Sequence, residues 1–441
     1  MKQKQIVIVG GGFAGVWAAM GAARRLERQS TRCAVRLTLV SPDDALVIRP
    51  RLYESDLSGV RVPLGEVLSP VGVDHRRALV ESIDTAKRTL TLGGQCPGRL
   101  EFDQLVLCAG SKVRLPSGAA GVHCVDSYEQ AVALHEAIAA LGDRPGEPFS
   151  AAVVGAGFTG LEVAAELSDM LRAAARREGA PAEGVSVVLI DRAEEVAPEF
   201  GPRARVVIYE ALRSLGVRTR TGVTVARVDA GGVTLADGER VAAGLTIWAA
   251  GPRASALNEQ LGLPLDERGR LTVDSQMATG IDGVWAAGDC VRVTVDGEHL
   301  AMMSCQQAMP QGRQAGENAA AVALGQPPAS YSQPLYLTCL DLGSAGALLT
   351  CGHERDSVLA RGEDGKRFKR FINRSQIYPP AGGDATRLLR LGKSVTAGPL
   401  GARLQASALR NNTVQRAIVS RGEDRAEQYV SHRRRSTSSF Q

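Results

Sequence analysis

Apolar residues along this chain fall in short runs bounded by glycine, of strand length rather than helix length. The run at 5–9 (QIVIV) is the first. Unbroken apolar character over about four to eight residues suits a parallel strand buried on both faces. Gly10, Gly12 and Gly15 follow at once, with Phe13 and Ala14 between the last two. A helical stretch over 16–28 and a second run at 35–40 (VRLTLV) complete the unit. The same order recurs at 151–154 (AAVV), then Gly155, Gly157 and Gly160, a helical stretch at 161–177, and 186–190 (SVVLI) ending at Asp191. The pattern predicts two strand–turn–helix–strand units.

Between these units the pattern changes to alternation. Segments 79–92, 100–107, 223–228 and 233–241 alternate, and the glycine pairs 93–94 and 231–232 and the pair Asp237-Gly238 supply turns. Each meander ends in an apolar strand closing on Ala-Gly, LVLCAG at 105–110 and TIWAAG at 246–251. Ala109, Gly110 and Gly251 therefore stand at the ends of these return strands. Segments 142–149 and 325–334 read as linkers, and the last twenty or so residues read as disordered. The fold class predicted is α/β with two Rossmann-like dinucleotide-binding domains and a small C-terminal segment.

Composition narrows the function. The 49 glycines among 441 residues exceed the usual ~7%, and they cluster where backbones turn or approach a ligand. No apolar stretch reaches the roughly 20 residues of a membrane span. The N-terminus enters a strand directly, without the apolar run of a secretory signal. Eight cysteines at 33, 96, 108, 124, 290, 305, 339 and 351 form no CxxC and fit no zinc-site spacing, so a reducing, cytoplasmic setting is expected. Net charge is +5, too weak to argue for nucleic acid. The basic excess gathers late, with eleven Arg or Lys against four acidic residues from Asp384 onward.

The spacing G-x-G-x-x-G has a physical purpose. The first glycine permits the turn, the second lets backbone reach a pyrophosphate, and the third lets helix and strand pack closely. The helix N-terminus then offers free N–H groups and its dipole to the phosphates. Two such turns imply two dinucleotides. In the second unit Asp191 is placed to hold ribose hydroxyls, which favours NADH over NADPH, while the adjacent Arg192 would favour the phosphorylated form. In the first unit the equivalent position is Ser41, with Asp43 and Asp44 beyond it. A third signal is GVWAAGDC at 283–290, in which Asp289 ends an apolar strand.

The succession GGGFAG, LVLCAG, VVGAGFTGLEVAAEL, TIWAAG and GVWAAGDC resembles the pyridine nucleotide–disulfide reductase superfamily. Within it, VIRPRLYE at 47–54, TGLE at 159–162, CQQAMPQG at 305–312 and FINRSQIYPP at 371–380 resemble the type II NADH:quinone oxidoreductases. The resemblance implies an FAD domain from 1–115 and 245–325, an NAD(P)H domain at 116–244, and a C-terminal region at 326–420 as a membrane-surface contact, ahead of the tail at 421–441. It implies FAD on Gly10, Gly12, Gly15 and Asp289, with Phe13, Ala14, Ser41, Arg49, Ala109 and Gly110 around it. NADH (or NADPH) as co-substrate falls to Gly155, Gly157, Gly160 and Asp191, with Gly251 nearby. The partners implied are a small electron acceptor such as quinone and the inner face of a membrane, loosely held; a homodimer stays open.

Departures from the family pattern matter. The stretch 41–60, where disulfide reductases carry their redox pair, has no cysteine, so electrons are expected to leave the flavin directly. Gln306 and Gln311 match the quinone-site motif as catalytic residues, but Cys305 and Pro310 do not, and Pro310 is expected to disturb its helix. Glu162 has two readings, a group at the flavin–nicotinamide contact or a first-turn carboxylate on the helix dipole. Arg49, Arg51 and Tyr53 read either as flavin neighbours or as an exposed basic turn. Lys366 to Ile372 reads as a strand with one wet face, or as a membrane-surface patch. Residues 384–404 offer leucines beside arginines for peripheral docking. Two other functions stay open: a sulfide:quinone oxidoreductase using cysteines among Cys124, Cys339 and Cys351, and an NADH-sensing flavoprotein with a signalling or assembly role.

Overall fold

A computed structural model describes residues 3–29, 31, 34–143, 149–333 and 336–393. The first unit forms β1 (Lys4–Val9), α1 (Phe13–Arg28) and β2 (Val35–Ser41), followed by β3 (Asp74–Arg77) and β4 (Gln104–Leu107). The second forms β5 (Ser150–Val154), α2 (Phe158–Arg177), β6 (Ser186–Ile190), α3 (Pro202–Ser214), β7 (Val217–Arg220) and β8 (Leu245–Trp248). The chain returns through β9 (Val284–Ala286) and α4 (Cys305–Ala323). It ends in an antiparallel sheet, β10 (Leu337–Asp341), β11 (Ala347–Cys351) and β12 (Ser357–Ala360), then α5 (Gly362–Phe371) and α6 (Ala385–Leu391).

Two parallel sheets carry the architecture, with orders β9-β4-β1-β2-β3 and β7-β6-β5-β8. The first sheet is closed by β9, which comes from beyond the second sheet in sequence. Its central strands are apolar on both faces, with Ile6, Val7 and Ile8 having no exposed surface, whereas the edge strand β3 (DHRR) is polar and partly exposed. Three-stranded antiparallel meanders (Leu79–Asp84, Thr89–Gly93, Gly98–Glu101; Val225–Asp229, Gly232–Leu235, Arg240–Ala242) stand where alternation predicted them. Helices α1 and α4 pack almost backbone to backbone. A Cβ on Gly312 or Gly316 would overlap the carbonyls of Ala14 or Ala18, and one on Gly21 would crowd Arg313. Among the described residues no helix is long and apolar enough to cross a membrane.

Two expectations need correction. Residues 366–371 belong to helix α5, whose buried positions Gly365, Phe368 and Lys369 follow helical spacing. The positive-φ glycine Gly362 (φ +61°) starts it, and Gly365 lies so close to the Ala347 carbonyl that no side chain fits. Second, α4 runs unbroken through Pro310. The Gln306 carbonyl that proline leaves without an intrahelical donor accepts the Gln333 amide at 3.5 Å. The expected docking segment begins as the short helix α6, which ends at Leu391 just before Gly392, with Leu388 buried and Gly392 pressed on the Met20 carbonyl. The rest of that segment from 394, and the tail at 421–441, lie outside the described residues.

Candidate active site

At the first turn Gly10 has φ +114°, and a Cβ there would overlap the Cys108 carbonyl. A Cβ on Gly15 would overlap the Gly10 carbonyl, so both positions require glycine on steric grounds. Gly12 instead faces open space and is the N-cap of α1, with no side chain capping the helix. Uncapped N–H groups beside an open backbone surface are what a pyrophosphate needs. Phe13 and Ala14 start α1 and are buried, Phe13 against Trp17 and Ala14 against Gly288 and Gly312. The Ser41 hydroxyl leaves no room for a side chain on Gly11 and accepts the Asp43 N–H at 3.3 Å. Gly110 (φ +67°) opens onto free space past β4, next to the half-buried Ala109. Asp289 accepts the Ser111 hydroxyl at 2.7 Å and lies 3.6 Å from the Arg49 guanidinium. These residues fit FAD: an open phosphate surface at a helix N-terminus, with a partly exposed carboxylate at the end of the sheet.

The second turn repeats the geometry. Gly155 has φ +107°, Gly160 has no space beside the Gly155 carbonyl, and Gly157 is an uncapped N-cap facing open space. Asp191 binds the turn itself, accepting the Ala156 N–H at 2.5 Å and the Ala193 N–H at 2.8 Å. Gly251 (φ +69°) is open past β8. The set fits a second dinucleotide.

One turn further along α2, Glu162 is buried rather than in the first turn, so the helix-dipole reading does not apply. Its carboxylate accepts the Lys369 ammonium at 2.7 Å and the Asp341 N–H at 2.9 Å. Lys369 also donates to the Cys339 carbonyl at 2.9 Å and lies over the rings of Tyr53 and Phe158. Asp341 accepts the Tyr53 hydroxyl at 3.2 Å and is ion-paired with Lys366. Burial pushes the Glu162 carboxyl up to about 7, against the opposing pull of Lys369. Burial also pulls the Lys369 ammonium down, but Glu162 and the other surrounding groups more than reverse this and hold it above its ordinary value. The Cys305 thiol, at the start of α4, is pushed up to about 11 by burial, with Lys369 and Asp289 both within electrostatic reach.

The remaining predicted residues divide. Arg49 stays with Asp289 and pairs with Asp126. Arg51 and Tyr53 are buried, not an exposed turn: Arg51 clasps Glu54 at 2.8 Å and the Tyr378 hydroxyl at 2.6 Å. Glu54 also accepts Asn373 at 3.1 Å, tying the 47–54 segment to the 371–380 segment. Gln306 is half-buried, whereas Gln311 is fully buried and its amide oxygen accepts the Gly288 N–H at 2.9 Å. The sequence reading missed Lys369, Asp341 and Lys366. The helical spacing of Gly365, Phe368 and Ile372 was the available signal.

Two uncapped glycine turns, the second opening the helix that carries the buried Glu162–Lys369 pair, fit the class of two-dinucleotide oxidoreductases. The chain belongs to the pyridine nucleotide-disulphide oxidoreductase family, whose pattern matches residues 4–312. It is 44% identical over 394 residues, 87% of this chain and 97% of the other, to an NADH dehydrogenase-like protein of Mycobacterium tuberculosis. It is 29% identical over 369 residues, 78% of this chain and 86% of the other, to a demethylphylloquinone reductase of Synechocystis. A solved structure of NDH2 from Plasmodium falciparum with NADH superposes with TM-score 0.68 over 89% of this chain and 98% of that one, at 14% identity, a likeness of fold alone. The protein is an oxidoreductase of the NADH dehydrogenase-like kind, in a family that uses FAD and NAD(P)H.

Proposed function

We propose that this protein oxidises NADH at the second glycine turn and passes the electrons by way of FAD to a quinone, with no dithiol relay. FAD, held at Gly10, Gly12, Gly15 and Asp289, supplies the hydride-accepting and electron-releasing chemistry. The chain's own part is to hold, orient and exchange protons. Asp191 orients the ribose end of the nicotinamide dinucleotide. Glu162, with its carboxyl near 7, exchanges a proton at its oxygens, and Lys369 holds it in place and keeps the buried charge balanced. Phe158 and Tyr53 keep water from the pair.

The observation that carries this reading is the buried Glu162–Lys369 pair, which stands on the helix that the second glycine turn opens. The absence of cysteine from 41–60 favours direct electron exit over a thiol relay. The relatives, an NADH dehydrogenase-like protein and a demethylphylloquinone reductase, support the choice of donor and acceptor. Helix α6 presents Arg387, Arg390 and Leu391 to solvent, which suits a loose, salt-sensitive contact with an anionic membrane surface where quinone resides.

An anaerobic acceptor screen tests the reading. With NADH as donor, ubiquinone and menaquinone analogues should turn over at least as fast as ferricyanide. Rapid ferricyanide reduction with quinones ignored overturns the acceptor and leaves the dehydrogenase standing. Flavin bleached by sulfide but not by NADH overturns the donor.

A further inference from the structure

Outside this site, two segments meet around a pair of histidines. The hairpin tip after β9 carries Asp296 and His299, and the loop after β11 carries His353. The His299 Nδ1–H donates to Asp296 Oδ2 at 2.8 Å. The Nε2 of His353 lies 3.5 Å from the same oxygen and is buried with no hydrogen-bond partner. The other oxygen of Asp296 is fixed by the N–H groups of Glu298 at 3.0 Å and His299 at 2.8 Å. One carboxylate oxygen and two imidazole nitrogens therefore lie within 4.8 Å of one another.

We infer that Asp296, His299 and His353 form a site for one divalent transition-metal ion of the zinc class. Two imidazoles with a carboxylate suit zinc or a similar borderline ion; calcium and magnesium favour all-oxygen sets. Ligand bonds of roughly 2.0–2.2 Å in a tetrahedron place ligand atoms about 3.3 Å apart. The 2.8 and 3.5 Å separations here bracket that spacing. The backbone bonds to Asp296 Oδ1 supply the orienting contacts such a ligand needs. Glu298 and Glu354 add negative charge around His299. The nearby Arg355 cation is engaged by Glu199, at 3.0 Å.

On binding, the ion displaces the proton from His299 Nδ1, which passes to solvent. The two rings now lie face to face, 4.0 Å apart with 5° between planes. Coordination turns them so that both lone pairs meet the ion, with a fourth position left to water. The consequence reaches the second dinucleotide unit. The loop that holds His353 also carries Arg355, bonded to Glu199, and Asp356, whose carboxylate accepts the Arg203 N–H at 2.7 Å at the start of α3. A metal here staples the hairpin tip to the loop that grips that unit.

The test uses the untagged, flavin-loaded full chain, stripped by chelator and then titrated with Zn2+ by calorimetry and thermal melting. One equivalent should bind and raise the melting temperature, while Mg2+ and Ca2+ do neither. His299→Ala and His353→Ala should each weaken Zn2+ binding by at least ~100-fold, beyond the ~10–100-fold of an outer-shell change. Both should retain flavin and NADH oxidation, and His123→Ala should bind Zn2+ like the parent. Failure of the parent to bind Zn2+, or full binding by both variants, overturns the assignment. Co2+ absorption of the parent gives a measurement that needs no variant: tetrahedral or five-coordinate nitrogen–oxygen bands support the site, and an all-oxygen octahedral spectrum overturns it.

Discussion

The two glycine turns solve one backbone problem in the same way and differ in what stands behind them. Gly10 and Gly155 share positive φ, Gly15 and Gly160 are each pressed on the carbonyl of the first glycine, and Gly12 and Gly157 each face open space. Behind the first, α1 is buried from Phe13 to Ala23 and locked to α4 through glycines. Behind the second, α2 carries Glu162 to a buried lysine and the turn is pinned by Asp191. The turn suits a dinucleotide; on the proposed function, its surroundings would make one site a permanent seat and the other a place of exchange and chemistry.

The largest effects should come from filling the third glycine of each turn. Gly15→Val should yield protein without flavin, because the side chain displaces the turn from the helix start. Gly160→Val should keep its flavin yet lose at least ~100-fold in kcat/KM for NADH, about 2.7 kcal/mol of transition-state stabilisation. Flavin absorbance per chain and steady-state kinetics read both. Loss of flavin in Gly160→Val would break the comparison, since the seats would then be coupled.

Next is the pair behind the second turn. Removing one partner of a buried ion pair costs about 3–5 kcal/mol, so Lys369→Met should lower stability by that order and the double variant with Glu162→Leu should recover part of it. The sign with pH follows from the direction of the shift. A carboxyl raised to about 7 binds its proton more tightly in the folded state. Its contribution to stability therefore falls as pH rises between the ordinary carboxylate range and about 7. The pH profile of flavin reduction by NADH should bend near 7 and lose that limb in Glu162→Gln. In Lys369→Met the limb should move to higher pH, because the charge favouring ionisation is gone. An unmoved limb would assign it to another group.

The glycine turns were legible because each is local: strand, turn and helix follow within about forty residues, and sterics demand glycine at fixed spacing. The Glu162–Lys369 pair was not, because 207 positions separate the partners. Local pattern at Lys366 to Ile372 misled as well, since aromatic residues every third position in a basic run read as a wet strand until Gly365 is seen pressed on β11. Pro310 was misjudged for a related reason. The donor that accommodates its helix, Gln333, is 27 positions away from Gln306 and carries no signature.

A smaller effect is expected at Asp191. A hydrogen bond to a charged group contributes about 1.5–3 kcal/mol, so Asp191→Ala should reduce kcat/KM for NADH by ~10–100-fold. NADPH should change less, because the carboxylate repels its extra phosphate. A parent that prefers NADPH would transfer control of the ribose end to Arg192 and leave Asp191 as a pin for the turn.

The smallest effects should separate the two glutamines of α4 and so show where the permanent seat ends and the exit for electrons begins. Gln311 is buried and holds the Gly288 N–H, one residue before Asp289. Gln311→Ala should therefore act on flavin retention and melting temperature, with about 1–3 kcal/mol from the donor left unsatisfied, and should leave the KM for quinone within error among chains that keep flavin. Gln306 is half-buried on the helix's first turn, where its backbone carbonyl accepts the Gln333 amide. Gln306→Ala should leave flavin content and ferricyanide turnover unchanged and raise the KM for quinone analogues several-fold, the size of one neutral hydrogen bond at about 1 kcal/mol. If ferricyanide and quinone rates fall together in Gln306→Ala, the residue belongs to the seat and the acceptor leaves by another face.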